Sequence, residues 1–140
     1  MQTFLPYPDF KMTAKVLDWR RLGKQRVEGM QILNILTGKS DKKGWRHHPA
    51  VLMWQGYERA LMLYVNTIIL EWISRGYKNN MQLYKIGKGR IKYPPWLGCK
   101  EFHRSHRSNL LRKDKDYYSN YFQESIDLEY IWPVKQKEKK

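Results

Sequence analysis

Glu28 closes a short basic run formed by Arg20, Arg21, Lys24 and Arg26. One carboxylate after four cations within nine positions has two readings. It is either the salt-bridged surface glutamate common to most proteins, or a carboxylate at the edge of a cationic groove. In the second setting it would oppose the positive charge that develops on a deoxyribose as its glycosidic bond breaks. A second basic stretch, Glu101 to Tyr118, holds Arg104, Arg107, Arg112 and Lys113 with His103 and His106, then runs into tyrosines. Phe102, Leu110 and Leu111 would tether such a helix while its cations face outward. A basic face followed by aromatic rings suits a phosphate backbone and exposed bases. The alternative is a merely solvated helix.

Cys99, His103 and His106 fall at i, i+4 and i+7, one helix face, which raises a metal site with His47 or His48 as a fourth ligand. Their spacing matches no established zinc pattern, and phosphate-binding histidines are the competing reading. His47-His48-Pro49 precedes a helix start, where free N–H groups attract anions; the same residues serve equally as a cap. Trp19, Trp45 and Trp96, with Tyr117, Tyr118 and Tyr121, are either stacking platforms or core packing. Glu58 and Glu71 read as structural. No phosphate-cradling glycine loop, serine elbow or paired acidic motif is present in the sequence.

The formal charge is +14 over 140 residues, a surplus that repels itself unless an anionic partner neutralises it. Nucleic acid leads; polyphosphate and anionic lipid are alternatives. With about five phosphate contacts, log affinity falls with log salt at a slope of roughly −4 to −5. A 41% apolar fraction with 14% aromatics indicates a globular domain despite a mean hydropathy of −0.78. The single Cys99 makes no internal disulfide, and Pro6, Pro8 and Asp9 exclude a secretory signal. The apolar stretch Ala60 to Ile73 is interrupted by Asn66, Thr67 and Glu71, too short and polar to span a bilayer. The expectation is a soluble intracellular monomer with no membrane association.

These side chains need a frame, and the periodicity is helical. Two prolines make residues 1–8 an extended arm. Asp9 caps a helix to about Trp19, and a second helix runs Arg21 to Leu36 with Leu22, Val27, Met30, Leu33 and Leu36 as its apolar stripe, stopped by Gly38. After a basic loop from Ser40 to Arg46, Pro49 opens one long helix to Arg75, stopped by Gly76. Trp54, Tyr57, Leu61, Tyr64, Ile68 and Trp72 form its buried face. Residues 77–97 read as irregular, followed by helices at Lys100–Arg112 and Asp114–Gln123. The expected architecture is all-α: a compact single-domain bundle of about four to five helices over residues 1–134, with a charged tail at 135–140.

In order, these pieces resemble the pyrimidine-dimer DNA glycosylase (phage endonuclease V-like) family. The resemblance rests on Leu17-Asp18, Glu28-Gly29 ten residues on, Gly38-Lys39, His48-Pro49 and Ser74-Arg75-Gly76-Tyr77. It continues through Pro94-Pro95-Trp96-Leu97-Gly98, His106 to Leu111, and the aromatic stretch Tyr117–Phe122. It implies a helical domain that bends double-stranded DNA and excises a damaged base without metal or cofactor. A chain-terminal amine attacks the sugar C1′, and β-elimination from the resulting Schiff base nicks the strand. Spacing to Gly38 sets Glu28 at the family's catalytic glutamate, while a local pairing of Trp19-Arg20-Arg21-Leu22 sets Arg21 there instead. Gln2 is too large for methionine removal, so Met1 supplies the amine, or Lys24 replaces it, or lyase chemistry is absent. The basic residues Arg20, Arg21, Lys24, Arg26, His47, His48, His103, Arg104, His106, Arg107, Arg112 and Lys113 would bind DNA. Two further readings are a non-catalytic DNA- or RNA-binding protein on the same fold and a metal-dependent nuclease using Cys99, His103 and His106.

Overall fold

The computed structural model describes residues 1–40 and 43–134; the expected charged tail lies outside the described residues. Two aspartates start the first two helices. Asp9 accepts the Met12 N–H at 3.0 Å and opens α1 (Phe10–Val16). Asp18 accepts the Arg21 N–H and opens α2 (Trp19–Leu36). Because Asp18 is an N-cap, its backbone is extended, so α1 ends before Trp19 and α2 begins two residues earlier than the sequence pattern implies. Asp18 is itself held by Tyr118, whose hydroxyl donates to its carboxylate while accepting the Asp18 N–H at 3.0 Å.

The expected long helix from Pro49 is two helices. A short α3 (Pro49–Leu52) is capped by His48, and α4 spans Glu58–Ser74. Between them Gly56 takes φ +87°, which a helix cannot contain, and the Glu58 carboxylate accepts its N–H at 3.1 Å. Trp54 remains fully buried from this turn, its indole N–H donating to Thr3 Oγ1 at 3.1 Å. Beyond the irregular segment 77–97 come α5 (Lys100–Lys113) and α6 (Lys115–Tyr118). The last helix is much shorter than the expected 114–123, since the chain turns at Ser119 to tuck Phe122 into the core. Together with one 3₁₀ turn at Lys43–Trp45, these six α-helices account for all regular structure among the described residues, where no strand occurs. The all-α expectation holds. None of these helices is long and apolar enough to cross a membrane.

The core lies where α4 crosses α2, with α1 on α4 and α3 against α2. Close approach is what the glycines of α2 provide. A Cβ on Gly29 would stand 2.4 Å from Val65 Cγ2, and one on Gly23 3.0 Å from the Trp72 ring. Leu22, Ile32, Leu33, Leu61 and Ile68 are fully buried around this crossing, and truncating any of them to Ala would cost about 2–5 kcal/mol. The buried face of α2 is rotated from the expected stripe. It takes in Gln25, Gly29, Ile32 and Ile35, whereas Val27 is exposed. That rotation decides where Glu28 points.

Candidate active site

The N-terminal arm passes over the helices, and side chains bond the backbone of Gln2, Phe4, Leu5 and Pro6. Gln25 does most on the α2 side. Its Oε1 accepts the Phe4 N–H at 2.9 Å, and its Nε2 donates to Gln2 O at 3.1 Å and to Glu28 Oε2 at 2.9 Å. From α4 the Tyr64 hydroxyl donates to Phe4 O at 2.7 Å. From α5 His106 Nδ1 accepts the Leu5 N–H at 3.0 Å, and His103 Nδ1 donates to Leu5 O at 2.7 Å. Arg107 completes the clamp by donating to Pro6 O at 2.8 Å.

These bonds fix both histidine tautomers. His103 carries its proton on Nδ1, because Nε2 accepts the Gly98 N–H at 2.8 Å. His106 carries its proton on Nε2, because Nδ1 is an acceptor. Burial pushes both below the usual imidazole range, His106 to about 3, with the neighbouring His103 adding to the effect. The expectation that these rings reach phosphates is therefore corrected: both are buried and neutral, committed to the arm. The metal reading loses its donors in the same way, since both nitrogens of His103 are used. No group of three His, Cys, Asp or Glu among the described residues could hold a metal ion.

The clamped arm brings Met1 to Glu28. Both line a cleft of about 660 Å³ with Gln2, Trp19, Arg20, Arg21, Lys24 and Lys113. Among the described residues, Glu28 is the one carboxylate in that lining. Burial raises its pKa, and the chain-terminal amine, Lys24 and the amides of Gln2 and Gln25 pull it partly back. Met1 and Glu28 also wall a smaller recess of about 370 Å³, where Gln31, Asn34 and Trp45 supply two amides and an indole. The geometry thus sets an amine beside a half-buried carboxylate, with a cationic trough on one side and, on the other, a recess to which Gln31, Asn34 and Trp45 bring polar and aromatic groups. Arg21, the other candidate for the catalytic position, bonds the capping Asp18 at 3.1 Å while lining the cleft.

Of the cations on α2, Arg20, Arg21 and Lys24 line the cleft and Arg26 does not. Two residues before Glu28, it points to another side of the helix, lying over Trp72 at 4.4 Å and donating to Asn79 at 2.6 Å. On α5 only Lys113 reaches the cleft. Arg107 pairs with Glu124 at 3.1 Å, Arg104 lies near Glu101 and Glu124, and Arg112 donates to the carbonyls of Ile126 and Leu128. The reason is that α5 is a core helix, burying Phe102, Ser105, Ser108, Leu110 and Leu111 along with its histidines. His48 takes the capping role, its Nδ1 accepting the Ala50 N–H at 3.0 Å, and His47 is exposed beside a different recess. Glu71 pairs with Arg75 at 2.8 Å, as a structural glutamate should. Trp19 and Trp45 edge the two hollows, whereas Trp96 packs on Trp54 and Phe102.

Sequence reasoning missed Gln25 and Tyr130, and placed Tyr64 on the buried face without its bond to the arm. Gln25 had a signal: it stands one helical turn before Glu28. The Tyr130 ring lies tilted by 31° against His106 with centroids 4.6 Å apart, and among the described residues its buried hydroxyl has no hydrogen-bond partner, nor has His106 Nε2. Nothing in the sequence around Tyr130 announces this.

The family model for pyrimidine dimer DNA glycosylase matches residues 1–85. That span holds the arm, Glu28, every α2 cation of the cleft and the crossing of α2 with α4. Neither a curated protein nor a solved structure gives a significant match.

Proposed function

We propose that this chain, which belongs to the pyrimidine dimer DNA glycosylase family, releases a damaged base from duplex DNA with the Met1 α-amine as nucleophile and Glu28 as the assisting carboxylate, and then nicks the strand. The observation that carries the reading is the arm: residues 2–6 are bonded to α2, α4 and α5 so that residue 1 is delivered to Glu28.

Attack on carbon requires the neutral form of the amine, because an ammonium has no lone pair to donate. The neutral amine attacks the sugar C1′, the C1′–N bond breaks, and its electron pair leaves with the base. Loss of the amine proton and ring opening give the iminium (Schiff base). Glu28 faces the positive charge in both states. Its raised pKa also makes it a better proton acceptor than a solvated glutamate. Removal of a C2′ proton then expels the 3′ phosphate, which breaks the strand. Arg20, Arg21, Lys24 and Lys113 hold phosphates flanking the reacting sugar. The recess with Gln31, Asn34 and Trp45 offers an extruded base hydrogen-bonding amides and a ring to stack on.

Borohydride reduction on abasic-site duplex, followed by peptide mass mapping, tests this directly. The expected product is a covalent adduct on the peptide that begins with Met1. An adduct on Lys24 would transfer the nucleophile to that residue. No adduct, together with no base release from a panel of damaged duplexes, would leave only a DNA-binding protein.

A further inference from the structure

The connection between α4 and α5 is long, irregular and strongly basic. Twenty-five consecutive residues, 76–100, contain no Asp or Glu, while Lys78, Lys85, Lys88, Arg90, Lys92 and Lys100 all lie within them. All six are exposed, and none forms a salt bridge among the described residues. A connection this long without secondary structure is uncommon in a small domain and usually functional.

This segment is built rather than loose. Arg59 of α4 donates to three of its carbonyls, Ile86 at 3.3 Å, Gly89 at 3.4 Å and Arg90 at 3.0 Å. Asn66, two turns further along the same face, clamps Tyr84 at both ends of its peptide, accepting its N–H at 2.7 Å and donating to its carbonyl at 2.9 Å. Gly87 and Gly89 take φ +80° and +113°, with open space where side chains would be. They are required by the turn and not by crowding. A guanidinium that spends its donors on carbonyls holds Lys85, Lys88, Arg90 and Lys92 together without neutralising them. Such concentrated like charge is unfavourable unless an anion meets it.

The patch does not belong to the cleft. Arg59 and Asn66 stand on the face of α4 opposite Leu61, Tyr64 and Ile68, which face the core. No residue from 57 to 99 lines either hollow beside Glu28.

We propose that Lys85, Lys88, Arg90 and Lys92 form a second binding surface for the phosphate backbone of duplex DNA, so that one molecule holds two duplex segments at once. That the anion is DNA rests on the family reading; that the surface is separate from the active site does not.

The test uses the full chain and a K85Q/K88Q/R90Q/K92Q variant, with Arg59 retained. A biotinylated short duplex carrying a tetrahydrofuran abasic-site analogue, which cannot form a Schiff base and so is not nicked, captures the protein, and retention of a second, fluorescent undamaged duplex is measured. Wild type should retain the second duplex and the variant should lose it. The log affinity–log salt slope for a long undamaged duplex should shrink by about 3–4 in the variant. Base release or nicking of a short duplex should stay within about twofold, since the cleft is untouched. A control K11Q/K15Q variant, changed at two exposed lysines of α1, should retain the second duplex. The proposal fails if wild type retains nothing, if the slope is unchanged, or if preferential retention is seen for single-stranded RNA. It also fails if turnover on the short duplex falls in step with binding, which would make the patch part of the cleft's own footprint. Because retention and salt slope need no chemistry, absence of base release would sink the glycosylase reading and leave this one standing.

Discussion

Replacing Glu28 by Gln should separate activity from stability in opposite directions. Glu28 is half-buried, and burial is the largest influence on its carboxyl, raising its pKa above the ordinary glutamate value. A group whose folded pKa is raised contributes stability that is present below its unfolded pKa and lost as pH rises through the folded one. At neutral pH the ionised Glu28 therefore weakens the fold relative to its protonated form. The amide of a glutamine is neutral and nearly isosteric. Its oxygen can still accept from Gln25 Nε2, now 2.9 Å from Glu28 Oε2, and its NH₂ can turn to the open cleft. Thermal melting at pH 7.5 should show E28Q equal to or above wild type, at about 3 °C per kcal/mol for a chain of this size. Base release under single-turnover conditions should fall by about 10²–10³-fold, the usual cost of one electrostatic group aimed at a developing charge. DNA affinity should hold or improve, because the cleft loses the negative charge of Glu28. A variant within tenfold of wild-type activity would show that Glu28 is not catalytic. A drop of several degrees in melting temperature would show that it is an ordinary stabilising residue.

Gln25→Leu should orphan the buried Phe4 N–H, costing about 1–3 kcal/mol, and lower turnover more than DNA affinity, because Gln25 positions the arm without lining the cleft; unchanged turnover would separate the arm from catalysis. His106 is depressed to about 3, so the stability tied to its neutral form is complete above the ordinary imidazole value near 6.5. It is lost as pH falls towards 3, at up to about 1.4 kcal/mol per unit. Urea unfolding at pH 7, 6 and 5 should show that decline, and His106→Asn, which keeps an acceptor for Leu5, should flatten it. Gly29→Ala places a methyl 2.4 Å from the stiff Val65 side chain and should cost about 1–3 kcal/mol. Gly44→Ala, with nothing within 4 Å, should melt like wild type.

The helical class, the capping Asp9, the irregular 77–97 and the placement of Glu28 after a basic run were legible because each depends on local spacing. The error on α5 has a different source. Basic residues and histidines read as solvent-facing, since sequence cannot show that a distant arm needs partners for its amides. Once the arm crosses α5, His103 and His106 become its hydrogen-bond supply, and Arg107 follows to Pro6. Similarly, Glu124 draws Arg107 away from solvent, a contact between segments no periodicity links. The break at Gly56 was signalled by the glycine itself but overridden by the apolar rhythm from Trp54 onward, which survives because Trp54 stays buried outside any helix.

A chain start normally frays, because few contacts offset the entropy of ordering it. Here the ordering cost is about 1–2 kcal/mol per residue, and the side-chain bonds to Gln2, Phe4, Leu5 and Pro6 return about 1 kcal/mol each. These two quantities roughly cancel. Burial of Phe4 and Leu5 is then what keeps the arm down, and the polar network adds direction more than stability. Hydrophobic burial alone would tolerate an arm displaced by an ångström; paired bonds on both sides of Leu5 would not. Directional bonding is worth its desolvation where a reacting atom must be placed, since small misplacements cost orders of magnitude in rate. A chain that merely gripped DNA through its charge would have no use for it. The network around Leu5 is therefore better evidence for chemistry at Met1 than the basic surface, which would suit a glycosylase and a simple DNA-binding protein equally well.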